Sequence, residues 1–254
     1  MATHPKVREL AQMIDHSLLH PTMTDADMAQ GCEIALEYGT ASVCIKPYAV
    51  PLAVTLLQDS PVLVGTVIGF PHGNSTIDLK VAETLQACKD GAVEIDMVVN
   101  IGKVLQEDWA YVEKEIAAVH KATLGNGGIL KVIFENDFLP GAKYKIKLCE
   151  LCSQIGVAYV KTSTGYGFSK GIDGRYGYQG ATDDDLILMR KHSAPTVQVK
   201  AAGGVRTLED LLRVKALGVR RVGASATVAI LEEAKVRYGN GTVRKGLSKD
   251  SLGY

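Results

Sequence analysis

Near the middle of the chain stands Val157-Ala158-Tyr159-Val160-Lys161-Thr162-Ser163-Thr164-Gly165, an apolar run that ends in a lysine and then breaks into hydroxylated residues and a glycine. Its Val- and Tyr-rich composition is typical of a buried strand, so we expect Lys161 to point into an enclosed space. A charged ammonium is costly there unless it is paired, hydrated or neutralised. The later stretch Val197-Gln198-Val199-Lys200-Ala201-Ala202-Gly203-Gly204 repeats the arrangement. Two lysines at two strand ends predict one site.

Strand-like and helix-like segments alternate along the rest of the chain. Several strand segments are nearly continuous apolar runs, which is typical of parallel strands covered by helices. Helix starts are well marked, since Thr207-x-x-Asp210 resembles a capping box and Thr182 precedes three aspartates. The predicted strands are 12–16, 41–46, 62–68, 92–98, 129–135, 157–162, 196–201 and 219–223. The predicted helices are 25–38, 49–58, 76–90, 107–124, 142–155, 183–192, 207–216 and 225–237.

This alternation over 254 residues predicts an α/β protein, a closed (β/α)8 TIM barrel that forms a single domain over residues 1–254. An open, doubly wound sheet is the structural alternative. It would normally carry a Gly-rich nucleotide loop after its first strand, and none is present there. The glycines within 165–171 have the wrong spacing for such a loop. From about residue 239 we expect a flexible C-terminal tail.

The composition excludes several classes of protein. Basic and acidic residues balance at 28 each, which argues against a protein that coats nucleic acid or a membrane surface. The first twenty residues carry charge throughout, unlike a signal peptide, and no apolar run approaches the ~20 residues that span a bilayer. We therefore expect a cytoplasmic protein with no nucleic-acid or membrane partner.

The cysteines do not suggest a metal site. Cys149 and Cys152 form the only C-x-x-C of the chain, inside a helical pattern, and no second pair follows with zinc spacing. We favour reduced core thiols on one helix face over metal or redox chemistry. No metal is predicted.

The catalytic groups of such barrels lie at the C-terminal ends of the strands. A neutral lysine amine attacks carbonyl groups, and both burial and a neighbouring cation lower a lysine pKa. We therefore predict that Lys161 forms a Schiff base, that Lys200 stays charged and lowers the pKa of Lys161, and that Asp96 or water moves protons. The alternative for Asp96 is a structural ion pair. The strand-end residues are Asp15, His16, Cys44, Lys46, 70–73, Asp96, Glu135, Lys161, Lys200 and 223–225.

Glycines follow the last two predicted strands and precede helices. Gly203-Gly204-Val205-Arg206 and Gly223-Ala224-Ser225 can present backbone N–H groups to an anion, and phosphate sites in barrels commonly occur there. Ordinary turn glycines are the alternative. His72, between Pro71 and Gly73, is expected to shape its loop. For His16, a place in the core and a place in the site are equally compatible with the sequence.

Several motifs carry a resemblance to a known family. They are Ile14-Asp15-His16-Ser17-Leu18-Leu19, Phe70-Pro71-His72-Gly73, Glu94-Ile95-Asp96-Met97-Val98-Val99-Asn100, Lys161-Thr162-Ser163-Thr164-Gly165 and Lys200-Ala201-Ala202-Gly203-Gly204-Val205-Arg206. In this order, over residues 10–237, the sequence resembles the deoxyribose-phosphate aldolases. The resemblance implies a class I aldolase on a (β/α)8 barrel. Such enzymes cleave 2-deoxyribose 5-phosphate reversibly to acetaldehyde and glyceraldehyde 3-phosphate, without metal or organic cofactor.

The resemblance also implies residue roles. Lys161 would be the Schiff-base lysine, Lys200 its perturbing neighbour, Asp96 the proton-relay carboxylate, and Tyr254 an assistant in proton transfer. A disordered chain end is the alternative for Tyr254. The partners would be a small aldehyde and a sugar phosphate, and we expect a homodimer or homotetramer. Substrate and phosphate binding is assigned to Asp15, Cys44, Thr164, Gly165, Gly203, Gly204, Val205, Arg206, Gly223 and Ser225.

Three departures from the family pattern lie on the phosphate side. Tyr166 stands where a lysine is frequent, Ala226 replaces a frequent serine, and the Tyr- and Gly-rich segment 166–180 is longer than usual. Losing a lysine and a hydroxyl would remove a contact worth ~1.5–3 kcal/mol and one worth ~0.5–1.5 kcal/mol. Lys170 or Arg175 could compensate. A related lysine aldolase with less phosphate-dependent acceptor specificity is therefore the second hypothesis, and a sugar-phosphate-binding barrel without turnover is the third.

Overall fold

The computed structural model describes residues 4–171 and 174–239, and eight of their strands close into a parallel barrel. Around the barrel the strands follow the order β1-β10-β9-β6-β5-β4-β3-β2. The single-domain TIM-barrel prediction is confirmed, and the open sheet is excluded because β1 pairs with both β2 and β10. The barrel strands are β1 Ile14–Leu18, β2 Ser42–Ile45, β3 Leu63–Ile68, β4 Glu94–Val98, β5 Ile129–Ile133, β6 Tyr159–Lys161, β9 Gln198–Ala202 and β10 Arg221–Ala224.

Helices lie between the strands, outside the barrel. They are α1 Pro5–Ala11, α2 Asp25–Tyr38, α3 Val50–Leu57, α4 Ile77–Lys89, α5 Ile101–Leu105, α6 Trp109–Gly125, α7 Ala142–Ile155, α8 Asp183–His192, α9 Leu208–Ala216 and α10 Thr227–Tyr238. The capping box at α9 is confirmed, since Thr207 accepts from the Asp210 N–H and the Asp210 carboxylate accepts from the Thr207 N–H. None of the helices in the described ranges has the length and apolar character of a membrane span.

Several short elements were not predicted. The helix α1 has Pro5 in its first turn, where the missing N–H costs nothing, but its seven residues are too few for a clear periodic pattern. The five-residue helix α5 is shorter still. The antiparallel hairpin of β7 Ser169–Lys170 and β8 Tyr176–Gly177 lies within the unusual 166–180 segment.

Side chains alternate across the barrel wall because successive residues of a strand face opposite sides. In β5, Leu130 and Val132 pack into the apolar layer under the helices, whereas Lys131 points inward to buried carboxylates. The same alternation puts Ile95 into the apolar layer and Asp96 inside the barrel. The apolar core thus lies between barrel and helices, and the barrel interior holds charge.

Candidate active site

Lys161 and Lys200 meet on one carboxylate. Lys161 ends β6, Lys200 lies on the neighbouring strand β9, and their Cα atoms are register partners. Each Nζ lies 2.7 Å from Asp96 Oδ2, which projects from β4 across the barrel. Only 3% of Lys161 is exposed, and Lys200 and Asp96 are fully buried. The structure therefore brings the two lysines and the aspartate together, although Lys200 and Asp96 lie in the middle of their strands rather than at the predicted strand ends.

This site opens into a cavity of about 580 Å³ at the C-terminal mouth of the barrel. Lys161 and Lys200 both line it. Most residues to which we assigned substrate or phosphate binding also line the cavity: Cys44, Thr164, Gly165, Gly203, Gly204, Val205, Arg206, Gly223 and Ser225. Asp15 and Asp96 do not line it and lie beneath the lysines. Tyr254 lies outside the described residues, and its role stays a prediction.

The surroundings shift the pKa values of the two lysines in opposite directions. Burial lowers the pKa of Lys161, and the positive charge of Lys200 lowers it further, against the opposing carboxylate of Asp96. Burial also acts to lower the pKa of Lys200, but Asp15 and Asp96 outweigh it and raise that pKa. Lys200 Nζ lies 2.6 Å from Asp15 Oδ2, a second carboxylate that Lys161 does not contact. The neutral amine needed for carbonyl attack is thus favoured at Lys161.

Asp96 remains ionised despite its burial. Burial acts to raise the pKa of its carboxyl group, but the charges of Lys131, Lys161 and Lys200 hold that pKa well below the usual range. Lys131 Nζ lies 2.9 Å from Asp96 Oδ1, at an angle unsuited to a hydrogen bond. The carboxylate is therefore a strong acceptor in contact with both amines.

Beneath the two lysines lies a group of buried ion pairs among Asp15, Glu94, Lys131 and Arg221, here called the charged floor, which the sequence analysis did not predict. Lys131 Nζ lies 2.6 Å from Glu94 Oε2 and 3.2 Å from Asp15 Oδ2. Arg221 pairs with Asp15 and lies 3.0 Å from Glu94 Oε1, and Ser42 Oγ donates to Asp15 Oδ1 at 2.6 Å. The signal was present in the sequence, because Lys131 alternates with apolar residues of β5 as Asp96 does in β4.

The cluster of ion pairs has a simple charge balance. Four basic groups (Lys131, Lys161, Lys200, Arg221) meet three carboxylates (Asp15, Glu94, Asp96). The cluster carries one surplus positive charge if every group is ionised and none if Lys161 is neutral. An uncompensated buried charge is costly, so the balance itself favours a neutral Lys161.

Glu135 shapes the loop that follows Lys161. Its φ of 57° lies in the left-handed region, which is uncommon outside glycine. The Glu135 carboxylate accepts hydrogen bonds from the Thr164 N–H, at 3.2 Å, and from the Thr164 hydroxyl. Burial raises the pKa of Glu135. Through these hydrogen bonds Glu135, which follows β5, supports the 162–167 loop.

The two histidines singled out from the sequence lie apart from the lysines. His16 is buried, with Nδ1 2.8 Å from the Thr227 hydroxyl, and burial lowers its pKa to about 4. His72 is exposed. Neither ring lines the cavity that Lys161 faces.

The two cysteines of the C-x-x-C are buried free thiols, as the sequence predicted. Cys149 and Cys152 are buried on α7, and burial raises the pKa of Cys149 to about 12, so the thiol stays protonated. In the ranges 4–171 and 174–239, no three His, Cys, Asp or Glu side chains are grouped as metal ligands. The absence of a metal from the reaction stays a prediction.

A parallel barrel whose C-terminal mouth holds a buried lysine of lowered pKa is the arrangement of an enzyme that works on carbonyl compounds through an amine, a class I aldolase. Comparison with known proteins narrows this class. The family model described as "DeoC/LacD family aldolase" matches residues 9–233. The chain belongs to this aldolase family, and it is therefore a lyase.

Individual relatives agree with the family. The chain is 49% identical over 231 residues to a deoxyribose-phosphate aldolase of Rhodopirellula baltica, covering 91% of each chain. A crystal structure of a putative deoxyribose-phosphate aldolase from Coccidioides immitis is similar at a TM-score of 0.82 and 38% identity, over 92% of this chain and 88% of that one. The tetrameric deoxyribose phosphate aldolase of Aeropyrum pernix has a TM-score of 0.80 at 27% identity, over 90% and 92%.

Proposed function

We propose that this enzyme reversibly cleaves 2-deoxy-D-ribose 5-phosphate to acetaldehyde and D-glyceraldehyde 3-phosphate through a Schiff base on Lys161. The observation that carries the proposal is the shared contact of Lys161 and Lys200 with Asp96, at 2.7 Å each, beside the cavity. The names of the relatives supply the substrate.

The chemistry begins with the neutral Lys161 amine. Its nitrogen attacks the aldehyde carbon of the open-chain sugar, and loss of water gives an iminium ion. A base removes the proton of the C3 hydroxyl, the C2–C3 bond breaks, and its electron pair enters the iminium to form an enamine. Glyceraldehyde 3-phosphate leaves, a proton adds to the enamine carbon, and water releases acetaldehyde and the free amine.

The neighbours of Lys161 have separate tasks in this scheme. Lys200 stays protonated and keeps Lys161 neutral, while Asp96, in contact with both amines, relays protons through water. Tyr254 assists protonation of the enamine carbon. None of these groups requires a metal or organic cofactor.

Phosphate would bind at the two glycine turns. Gly203 and Gly204 have φ values of 84° and 87° and immediately precede the segment that starts α9. Gly223 and Ser225 lie just before α10. Backbone N–H groups at helix starts favour anions, and Arg206 adds a positive charge at the same cavity wall.

The proposal extends to assembly and location. We expect a homodimer or homotetramer, an expectation supported by the tetrameric Aeropyrum pernix relative, and a cytoplasmic enzyme without nucleic-acid or membrane partners. Light scattering of the purified full chain measures the assembly, and a monomer at micromolar concentration would contradict that part of the proposal.

The central test is trapping of the intermediate. Borohydride reduction in the presence of acetaldehyde should leave an N-ethyl group on Lys161, detected by peptide mass spectrometry. Lys161→Met should abolish both the label and turnover, while the wild type and the variant should share the same thermal unfolding. Folded wild-type protein that binds deoxyribose 5-phosphate but neither labels nor turns over would support the non-catalytic barrel instead.

A second candidate function is favoured by a specific observation. Tyr166, which stands where relatives frequently have lysine, lines the cavity. An enzyme with less phosphate-dependent acceptor specificity would show similar kcat/KM for 2-deoxyribose and its 5-phosphate. A large preference for the phosphate would exclude this candidate.

A further inference from the structure

The 166–180 segment adds three aromatic rings to the wall of the active-site cavity. Tyr166, Phe168 and Tyr178 all line the same cavity as Lys161. Phe168 precedes β7 directly and Tyr178 follows β8 directly, so the antiparallel pairing of the hairpin brings the two rings together. We call these three residues the aromatic wall.

The rings of the aromatic wall are held in place by one another and by the barrel. Phe168 and Tyr178 meet edge to face with centroids 5.4 Å apart, and Tyr166 meets Phe70 in the same way at 5.6 Å. A Cβ atom built on Gly203 would lie only 3.2 Å from Cε2 of Tyr178, so the tyrosine ring packs directly on the glycine turn. The wall therefore borders the proposed phosphate site.

Asp137 fixes the second arm of the hairpin. Its carboxylate accepts from the Gln179 N–H at 2.5 Å and from the Gly180 N–H at 3.0 Å. The Ala181 N–H donates to the Gly203 carbonyl at 3.1 Å, which joins the same arm to the glycine turn. Asp137 lies in the turn after β5, and its two hydrogen bonds hold the backbone that directly follows Tyr178.

The exposure of the wall shows where a ligand could contact it. Phe168 is 49% exposed although its ring faces a concave surface, and Tyr166 and Tyr178 are half-buried. Aromatic rings contribute large apolar area and no positive charge, so they favour a flat apolar group rather than a phosphate dianion.

We propose that Tyr166, Phe168 and Tyr178 form an acceptor subsite for aldehydes that carry a flat apolar group a few bonds from the carbonyl carbon. The inference rests on the proposed aldolase function and names its additional substrate class. In the addition direction, the enamine carbon of acetaldehyde bonds to the acceptor carbonyl carbon. The methyl group gives up one proton, the acceptor oxygen takes one, and hydrolysis releases a 3-hydroxyaldehyde, without oxidation or reduction.

The test compares two acceptors at saturating acetaldehyde. For the wild type, kcat/KM for 3-phenylpropanal should exceed that for propanal, and Phe168→Ala should lower the ratio of the two by about fivefold, the range of one aromatic contact. Tyr176→Ala is the matched control, because Tyr176 belongs to the same hairpin, is 71% exposed and does not line the cavity. This control should keep the wild-type ratio.

Three further variants separate recognition from folding. Tyr166→Lys should lower the preference for 3-phenylpropanal and raise kcat/KM for glyceraldehyde 3-phosphate. Asp137→Ala should lower the phenyl preference by releasing Tyr178, whereas Asp137→Asn, which keeps one acceptor oxygen, should retain more of it. These effects are read as ratios between acceptors, which a general loss of active enzyme would not change.

The outcomes are distinct. An equal ratio in wild type, Phe168→Ala and Tyr176→Ala, with normal turnover of glyceraldehyde 3-phosphate, overturns the acceptor subsite and leaves the proposed function intact. Absence of turnover with every acceptor, together with failure of the borohydride trap, overturns the proposed function itself.

Discussion

At the scale of single residues, the site contains two lysines whose pKa values shift in opposite directions. Burial acts to lower the pKa of both, and their carboxylate contacts differ. Lys200 contacts Asp15 and Asp96, whereas Lys161 shares Asp96 alone. One additional buried carboxylate is thus the physical reason why the pKa of Lys200 rises while that of Lys161 falls.

Lys200→Leu should therefore raise the pKa of Lys161, because it removes a neighbouring cation and leaves Asp15 and Asp96 with less compensation. Each unit of increase lowers the neutral fraction of Lys161 about tenfold at neutral pH. The pH profile of kcat/KM, measured over the alkaline range, should move to higher pH. Lys200→Arg, which keeps the charge, should move it less. An unchanged profile in the leucine variant would contradict the role of Lys200.

Some residues of the site could be predicted from the sequence, and others could not. The pairing of Lys161, Lys200 and Asp96 followed from strand ends and motifs. Lys131 and Arg221 were missed because neither belongs to a recognised motif or stands at the end of a predicted strand, and Glu94 was missed although it lies two residues before Asp96. A strand pattern shows that a side chain faces inward, but not which charge it meets there.

At the scale of elements, a second buried ion pair joins three of them. Lys80 on α4 lies 2.7 Å from Glu115 on α6, and both side chains are fully buried. Lys80 also donates to the Gly73 and Val98 carbonyls, at 2.8 and 2.7 Å, and Glu115 accepts from the Asn100 N–H at 2.9 Å. The pair thereby fixes the loop after β3 and the end of the strand that carries Asp96.

Lys80→Met should destabilise the fold by ~3–5 kcal/mol, because it leaves the Glu115 carboxylate buried without its cation. Adding Glu115→Leu removes that unpaired charge, so the double variant should be more stable than Lys80→Met alone, though still below wild type because backbone groups stay unpaired. Urea denaturation of the wild type, Lys80→Met, Glu115→Leu and the double variant measures the coupling. Additive losses would show that the two charges act independently.

The hairpin is the element that sequence reasoning described least well. Its position was marked by the unusual 166–180 segment, but its strands have only two residues each, too few for a period-two pattern. Asp137, whose place in the sequence carried no interpretation, explains how the hairpin is held. The unusual 166–180 segment and the turn after β5 are thus parts of one structural feature.

At the scale of the whole molecule, the first and last barrel strands close the ring, and His16 contributes to that closure. Its Nδ1 lies 2.8 Å from the Thr227 hydroxyl, so a residue of β1 contacts the start of α10. His16 is 2% exposed, and burial lowers the pKa of its imidazole from 6.5 to about 4. The folded protein therefore holds this imidazole neutral at a pH at which the unfolded chain protonates it.

The free energy of unfolding should consequently fall as pH decreases from about 6.5 to about 4, since the unfolded chain binds more protons in this window. The contribution of His16 is about 3 kcal/mol when complete. Chemical denaturation at several pH values should show a smaller slope in His16→Gln. His72→Gln, at an exposed position, should keep the wild-type slope. Equal slopes in all three proteins would contradict the prediction.

The sequence alone determined the barrel, because parallel strands and helices have different periodicities that local residues encode. It also indicated that the two lysines and the aspartate meet, because their motifs mark them and their strand positions face the barrel interior. The tertiary structure decided the charge balance of the floor, the second carboxylate at Lys200 and the anchoring of the aromatic wall by Asp137. These depend on distances between residues far apart in the chain, and electrostatic energies follow distance and burial rather than sequence position.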